Sequence, residues 1–551
     1  MTQHLKKHAI FKPSSQQEIS QPSITEFVTI SGSPRLPLED NLLNWVIDDF
    51  QAFTILDQPK FRKIFVDAGL TYPASSPRTV RRRIEERFIQ SRAMLREQLK
   101  TNCNSLAISL DCWTSSNGHP ILGIVGHWVT PQWNINERVL EFVELQGVSE
   151  CDCFKVCQQN FRVHTGQNLA AAVLKALRDL EVEKKLLVIT ADNASNNAAM
   201  MRDIGFTLSA RHGDDCKFLG EGWEVRCLAH VLNLIAQSFL GSLHVPLQHG
   251  EEDHQGFPSW GSAKDLDVVE RIRLLCLWIR SSPQRHHEWL RFAPASSTRK
   301  TIRYDVKTRW NSTCRMLTDA VELRSTVDKY TNRQQELESL ALRDQDWRLV
   351  EDILSVLTRF EELTLLVSKT EPQICVVTAI YYELQDLLQE VSDREESFQH
   401  ISEVVSAAAK DASEKHQKYY KLAQAHDLYY VAAILDPRIK SLFLQGELGD
   451  DYADALDKIR KFVSARYPVS NAPQPPATDP NAELSFAQKI ARKYTSTIRN
   501  SLGSDLDSYL ESEPVPDSKV ASQTDSQFIC EWWKTNGGNY PIMSQVAREI
   551  L

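Results

Sequence analysis

Two aspartates end apolar runs in this 551-residue chain: Asp111 in "AISLDCW" and Asp192 in "LLVITADNASNN". A carboxylate at the end of an apolar strand is costly unless something charged or polar meets it there. One such aspartate is served by a salt bridge or a turn cap. Two brought side by side repel, and a divalent cation between them is the natural compensation. The donors are oxygens only, which suits Mg2+ or Mn2+. Two such ions about 4 Å apart are the usual device for in-line phosphodiester chemistry. That device also needs a third carboxylate.

The elements that must position the pair read from the pattern. "SLAISLDCW", "ILGIVGHWVT" and "ERVLEFVEL" are strand-like, with Ile108 and Leu110 pointing one way and Ser109 and Asp111 the other. "GQNLAAAVLKALRDLEV" follows with Leu169, Val173, Ala176, Leu177 and Leu180 at helical spacing. "KKLLVITAD" is a continuous apolar strand, after which Asn193 or Ser195 can cap a helix. Three strands in a meander, a crossover helix and a fourth strand match the opening of a ribonuclease-H-like α/β fold. In that arrangement the first and fourth strands are adjacent and parallel, and their ends bring Asp111 and Asp192 together.

Around this core the chain reads as mostly helical. Residues 1–38 are polar and Pro/Ser-dotted, a disordered tail. Residues 39–100 form a helical N-terminal region for DNA binding or oligomerisation. Its arginines, from Arg78 to Arg96, make either a solvated face or a phosphate-contacting one. The catalytic core's first part spans 101–261. A large all-α insertion domain covers 262–510, with Val350, Ile353, Leu354, Leu357 and Phe360 in a helical stripe and a Pro-rich linker at 466–483. In 511–551, Gly537 and Gly538 stop one helix and Ser544 caps another.

Composition narrows the function. The net charge of −9 means that any DNA contact uses local basic patches. Eleven scattered cysteines with no CxxC pattern read as reduced thiols, and the Cys151, Cys153 and Cys157 cluster lacks nearby histidines for a metal site. The first residues hold no apolar signal-peptide core and no 18-residue apolar run exists, so a soluble intracellular protein is the expectation.

Six separated motifs resemble the hAT superfamily of DNA transposases, named for hobo, Activator and Tam3. They are "LDCWTS" (110–115), "TADNASNN" (190–197), "RCLAHVLNLIAQ" (226–237), "TRWNSTCRML" (308–317), "YYVAAILDPRIK" (429–440) and "WWKTNGGNYPIMSQVAREIL" (532–551). The resemblance implies that Asp111 and Asp192 are the first two members of an Asp-Asp-Glu metal triad. It implies that Cys227 and His230 form the family's Cys-x-x-His pair near the DNA end. Trp310, beside Arg309, corresponds to the tryptophan that stacks near a flipped base. The closing segment resembles the start of the dimerisation region, so a nuclear, DNA-bound homo-oligomer without a membrane or small-molecule substrate is implied. On the residues alone, Cys227 and His230 would ordinarily be a buried thiol and a core histidine, and Trp310 would more often be core packing. The basic run Arg299, Lys300, Arg303, Lys307 and Arg309 favours a nucleic-acid groove.

Two departures temper the resemblance. No BED-type zinc-finger ligand set precedes residue 100, and the family's catalytic glutamate lies beyond the "YPIMSQVAREIL" segment. Glu531 and Glu549 occupy different motif positions. The expectation is a transposase-like protein that is truncated and catalytically incomplete. The alternative is a domesticated DNA-binding or protein-interaction regulator without nuclease activity. An exonuclease on the same fold would want Asp-x-Glu in the first strand, where this chain has Asp111-Cys112-Trp113.

Overall fold

The computed structural model describes residues 38–71, 76–115, 117–145, 165–243, 267–293, 299–306, 309–368, 374–468, 505–516 and 525–551. Of the tail expected at 1–38, Leu38 opens a helix and residues 1–37 lie outside them, as does the Cys151–Cys157 cluster. The chain divides into two compact units, one made of residues 1–102 and 179–181 and the other of the remainder.

The first unit is helical: α1 (Leu38–Asp48), a short 3-10 turn at Phe53–Asp57, α2 (Pro59–Asp67) and α3 (Pro77–Asn102). Leu43, Val46, Leu56 and Val80 make its small core, and Trp45 stacks on Phe61 at 5.4 Å between ring centres. Many of the α3 arginines are ion-paired. Arg81 meets Glu85 at 2.9 Å and Arg82 meets Glu86 at 3.2 Å, while Arg83 and Arg87 reach Glu39 and Asp40 of α1 at 2.8 and 2.6 Å. Each exposed pair contributes little to stability, yet together they spend on carboxylates much of the charge that a phosphate surface would need.

The second unit is built on β1 (Leu106–Thr114), β2 (Pro120–Val129), β3 (Ile135–Glu144), the crossover helix α4 (Gly166–Asp179), β4 (Leu186–Ala191), α5 (Ser195–His212) and β5 (Glu224–Arg226). Among the described residues these strands form one sheet in the order β3-β2-β1-β4-β5. β1, β2 and β3 are an antiparallel meander; β1–β4 and β4–β5 are parallel. This is the order expected of a ribonuclease-H-like core. Leu106, Ile108 and Ile189 are fully buried on one face. The cap of α5 differs from expectation: Ala194 is the N-cap residue and makes no side-chain cap bond. The Asp192 carboxylate accepts the Ala194 amide at 3.1 Å instead.

After the sheet come α6 (Leu228–Ser242), α7 (Val268–Arg280), α8 (Pro283–Phe292), α9 (Trp310–Glu322), α10 (Arg324–Arg333), α11 (Asp344–Val367), α12 (Val377–Asp393) and α13 (Glu403–Gln424). One apolar cluster runs through them from Leu228 to Tyr419. The helical part therefore begins with α6, earlier than residue 262. It also ends earlier than 510, because the following helices share a core with Val129, Val188 and Val225 of the sheet. These are α14 (Asp427–Ile434), α15 (Leu442–Leu448), α16 (Tyr452–Arg466), α17 (Asp505–Glu511), α18 (Asp525–Asn536) and α19 (Pro541–Ile550). The reason is local: α14 is apolar all round, with Leu428 through Ile434 buried, and a helix of that kind belongs in the middle of a core. Tyr509 and Trp533 fasten α17 and α18 to its end by donating to the carbonyls of Ile434 and Leu435 at 2.8 and 2.9 Å. Of the linker expected at 466–483, Arg466 belongs to α16 and Tyr467 is buried, while 469–483 lie outside the described residues.

Gly537 does stop α18, and a side chain there would collide with Ser544 Oγ and the Trp533 carbonyl. Ser544 is inside α19, not its cap; Tyr540 is the N-cap and Pro541 opens the helix.

Candidate functional site

Backbone register places the two aspartates. β1 and β4 pair as Ile108–Ile189 and Ser109–Thr190, and two further residues along both chains bring Asp111 beside Asp192. β4 and β5 pair as Thr190–Val225 and Ala191–Arg226, and the Cys227 amide donates to the Ala191 carbonyl at 2.9 Å. The carboxyl ends of three adjacent parallel strands thus present Asp111, Asp192 and Cys227. Side chains alternate along a strand, so these three share one face with Ser109, Thr190 and Val225.

Asp192 is held from two sides. Besides the Ala194 amide, Asn197 Nδ2 donates to the Asp192 carboxylate at 2.8 Å and to its main-chain carbonyl at 2.8 Å. Asn197 is buried and both aspartates are exposed. Arg226 donates to Asn193 Oδ1 at 2.9 Å and its amide meets the Tyr429 hydroxyl at 3.2 Å, joining the site's edge to α14.

The thiols report the local field. Burial pushes Cys112 up to about 11, and the charges of Asp111 and Asp192 push the same way. Cys227 is raised by burial first; the amides of His230 and Ala229 pull against that, while Asp111 and Asp192 add to it. Both aspartates therefore act on both sulfurs, which lie on β1 and just beyond β5. Cys227 is also the N-cap residue of α6, without a side-chain cap bond. His230, three residues on, is partly exposed in the first turn of α6.

Arg309 and Trp310 are placed differently from each other. Arg309 is exposed as the N-cap residue of α9. Trp310 is 1% exposed and packs edge-on against Phe360 at 6.0 Å. Its amide faces Asn233 Oδ1 of α6 at 3.4 Å. An indole enclosed this way offers no face to a base, so Trp310 is a core residue in this structure and the stacking role expected of it is corrected. The basic run before it also turns inward: Arg299 and Arg303 grip the buried Asp319 at 2.6 and 2.7 Å. Asp305, from the same run, pairs with the buried Arg273 at 2.6 Å.

The glutamates are elsewhere. Lys217 Nζ donates to the Asn104 carbonyl at 3.2 Å and to Glu549 at 3.0 Å, and the Tyr467 hydroxyl donates to Glu549 at 3.1 Å. Glu549 therefore sits by residue 104, at the opposite end of β1 from Asp111, on the order of 20 Å away along the strand. Glu531 pairs with Lys534 at 3.1 Å. Among the described residues no group of three or more His, Cys, Asp or Glu side chains converges as a metal site. The donor set that does converge, two exposed carboxylates with one of them anchored, suits a hard divalent cation as a partial shell.

On the same face a cavity of about 330 Å³ lies over Ala107, Ser109, Val188 and Thr190, with Leu428, Ile550 and Leu551 on its walls. Ser109 Oγ and His127 Nε2 lie 2.9 Å apart in its floor. Sequence reasoning gave no role to Asn197, Arg226 or Tyr429. Asn197 stands in the quoted "TADNASNN", but its bond to Asp192 depends on the turn between β4 and α5.

Comparison with known proteins agrees with this fold. Residues 109–218 match the ZBED1 RNase-like domain, 225–356 the ZBED1 RNase-like helical domain, and 505–551 the hAT family C-terminal dimerisation region. A Zea mays protein described as "Putative AC transposase" is 25% identical over 523 residues, covering 91% of this chain and 58% of its own length. Zinc finger BED domain-containing protein RICESLEEPER 2 of Oryza sativa subsp. japonica is 24% identical over 534 residues, covering 91% of this chain and 65% of its own length. Protein DAYSLEEPER of Arabidopsis thaliana, also a zinc finger BED domain-containing protein, is 23% identical over 457 residues, covering 81% and 57%. The chain thus spans somewhat under two thirds of the length of these relatives.

Proposed function

We propose that this chain, which belongs to the hAT transposase family, is a transposase-like protein that binds DNA ends in the nucleus and presents their phosphodiesters to Asp111 and Asp192. The observation that supports this best is the placement of these two carboxylates at the ends of adjacent parallel strands, with Cys227 at the third. Asp111 and Asp192 would hold Mg2+ or Mn2+, which supplies charge stabilisation to a phosphoryl centre and lowers the pKa of a bound water. Asn197 and the Ala194 amide keep Asp192 oriented toward that position. Arg309 is exposed and His230 partly so, and both are in reach of a nucleic-acid backbone from outside the core. The match of 505–551 to a dimerisation region supports a homo-oligomer.

The test is a divalent-cation-dependent nicking assay on hairpin and transposon-end DNA, with Asp192→Ala as control, run beside a salt-titrated binding assay. Binding that falls with salt and involves Arg309→Ala supports the DNA reading. A chain that binds neither DNA nor a divalent cation would refute it. DNA binding without any dependence on Asp111 or Asp192 would favour a regulator that keeps the fold and not the chemistry.

A further inference from the structure

The turn between β2 and β3 holds Trp133 at a φ of 67°, in the left-handed region that a bulky side chain rarely occupies. Its amide donates to the Thr130 carbonyl at 2.9 Å, and the Asn134 amide donates to Thr130 Oγ1 at 3.1 Å. Such a conformation persists only where the surroundings enforce it. Here it lays the buried indole against α19, with the Arg548 guanidinium 4.8 Å from the ring centre. Arg548 is half-buried and has no carboxylate partner among the described residues, and its Nε is enclosed without an acceptor. Burial also pulls the guanidinium below the usual arginine range. A cation this enclosed and unpaired is costly unless an anion meets it. It borders a cavity of about 470 Å³ between the turn and α18–α19, with Lys534, Ser544 and Gln545 on its walls. Glu549 is also there, but Lys217 and the Tyr467 hydroxyl already hold its carboxylate at 3.0 and 3.1 Å. Behind it, Lys185 and Lys217 donate to the carbonyls of Cys103 and Asn104 at 2.7 and 3.2 Å. Cations thus gather at the start of β1, at the opposite end of that strand from Asp111.

We infer that this cavity is an anion site that takes a phosphate group, with Arg548 and Lys534 on its oxygens and Ser544 and Gln545 as neutral donors. A guanidinium laid against an indole face is fixed in direction, and its planar fork of N–H donors matches phosphate oxygens two at a time. Lys534 adds a point charge: its surface pair with Glu531 is weak and exchanges readily. A bare phosphate fills the room of only a few waters, each of about 30 Å³, so the cavity also has space for the group that carries the phosphate. A free phosphate ester and a nucleic-acid backbone share this chemistry, and the experiment separates them. The inference does not depend on Asp111 and Asp192, which close the other end of the strands.

The experiment uses the purified 551-residue chain in EDTA, so that no divalent cation at Asp111 and Asp192 contributes. Titration calorimetry with inorganic phosphate, at ionic strength held constant with chloride, should show saturable binding. Arg548→Gln should weaken it about tenfold or more, the loss of one charge-assisted contact, and Lys534→Gln should weaken it less. Phosphate bound equally well by Arg548→Gln overturns the site. Should that variant fail to fold, modification of the parent chain's arginines by phenylglyoxal, read residue by residue by mass spectrometry, decides. Phosphate should slow the modification of Arg548. AMP and a 20-base-pair DNA duplex are then compared in the same reaction. Protection of Arg548 by AMP and not by the duplex identifies a free phosphate ester as the ligand, and the reverse identifies the nucleic-acid backbone. Arg548 modified at one rate with phosphate, AMP, duplex or chloride alone overturns the inference.

Discussion

Asn197 donates one amide group to both the carboxylate and the main-chain carbonyl of Asp192, each at 2.8 Å. A buried side chain five residues downstream thus sets the direction of an exposed carboxylate. Partners behind a metal ligand commonly contribute tenfold or more to metal affinity. Asn197→Ala should therefore lower Mn2+ affinity by about tenfold and cost about 1–3 kcal/mol of stability. Titration calorimetry with Mn2+ and chemical denaturation check the two parts separately. Unchanged Mn2+ binding in a folded Asn197→Ala chain would remove Asp192 from the metal reading.

The thiol of Cys112 is a built-in reporter of the same site. Burial and the two aspartates raise it to about 11, so it is almost wholly protonated at pH 8. A cation held between Asp111 and Asp192 would neutralise part of the charge that raises it and so increase the thiolate fraction. Iodoacetamide labelling of Cys112 at pH 8, followed by mass spectrometry, should speed up roughly threefold or more with Mn2+. Asp192→Asn should have the same effect without metal. A labelling rate indifferent to both would mean that the carboxylates do not share a field at this sulfur.

Trp310 packs in the helical core, so its removal should act on stability. Trp310→Ala should cost about 3–5 kcal/mol, as large-to-small changes at buried aromatic positions do, and Trp310→Phe should cost less. Urea unfolding of both variants measures this. A folded Trp310→Ala chain that keeps its stability but loses DNA affinity would return the ring to the nucleic-acid surface.

How much of this was legible beforehand differs by element. The meander, the crossover helix and the fourth strand followed from period-2 and period-3.6 patterns, and Asp111 and Asp192 stood out as polar residues closing apolar runs. The fate of the basic run was not legible. Asp305 is five residues from Lys300 in sequence and Asp319 lies a helix away, and only packing shows that Arg303 reaches Asp319 while Asp305 goes to Arg273. Trp310 misled for the same reason: arginines around a tryptophan look alike whether the ring faces DNA or Phe360. The boundary of the helical part was also hidden, because α6 and α14 are both apolar and only three-dimensional packing shows which core each one joins.

Lys440 offers a test of how the last helices are held. It is 1% exposed, and its ammonium donates to the carbonyls of Tyr509, Ser512 and Glu513 at 2.9, 2.7 and 3.3 Å and to the Ser512 hydroxyl. Burial pulls it down to about 8 while those acceptors hold the proton. Between pH 8 and about 10 the unfolded chain keeps a proton on this lysine that the folded chain has begun to release, so this residue's contribution to stability rises with pH in that window. Lys440→Met should cost about 3 kcal/mol by orphaning the carbonyls and should abolish that rise. The check is the difference between parent and variant in urea midpoints measured from pH 7 to 10.

The last prediction concerns chemistry. Glu549 is held by Lys217 and Tyr467 at the far end of β1, and Glu531 is paired with Lys534. Neither is placed to complete a shell with Asp111 and Asp192. A two-ion site depends on three carboxylates for charge and for coordination, and two can hold one ion loosely. A polypeptide of residues 1–551 should accordingly bind Mg2+ with a Kd in the millimolar range, on the order of a carboxylate pair. It should bind DNA in a salt-dependent way and leave it uncut. Metal titration and a nicking assay on the same preparation test both halves. Robust Mg2+-dependent cleavage abolished by Asp192→Ala would show that a third ligand reaches the site from within these residues. The first place to look would then be Glu549, released from Lys217. Lys217→Ala should raise cleavage if that release is what supplies the ligand, and should leave it at zero if the buried pair with Tyr467 only holds α19 in place.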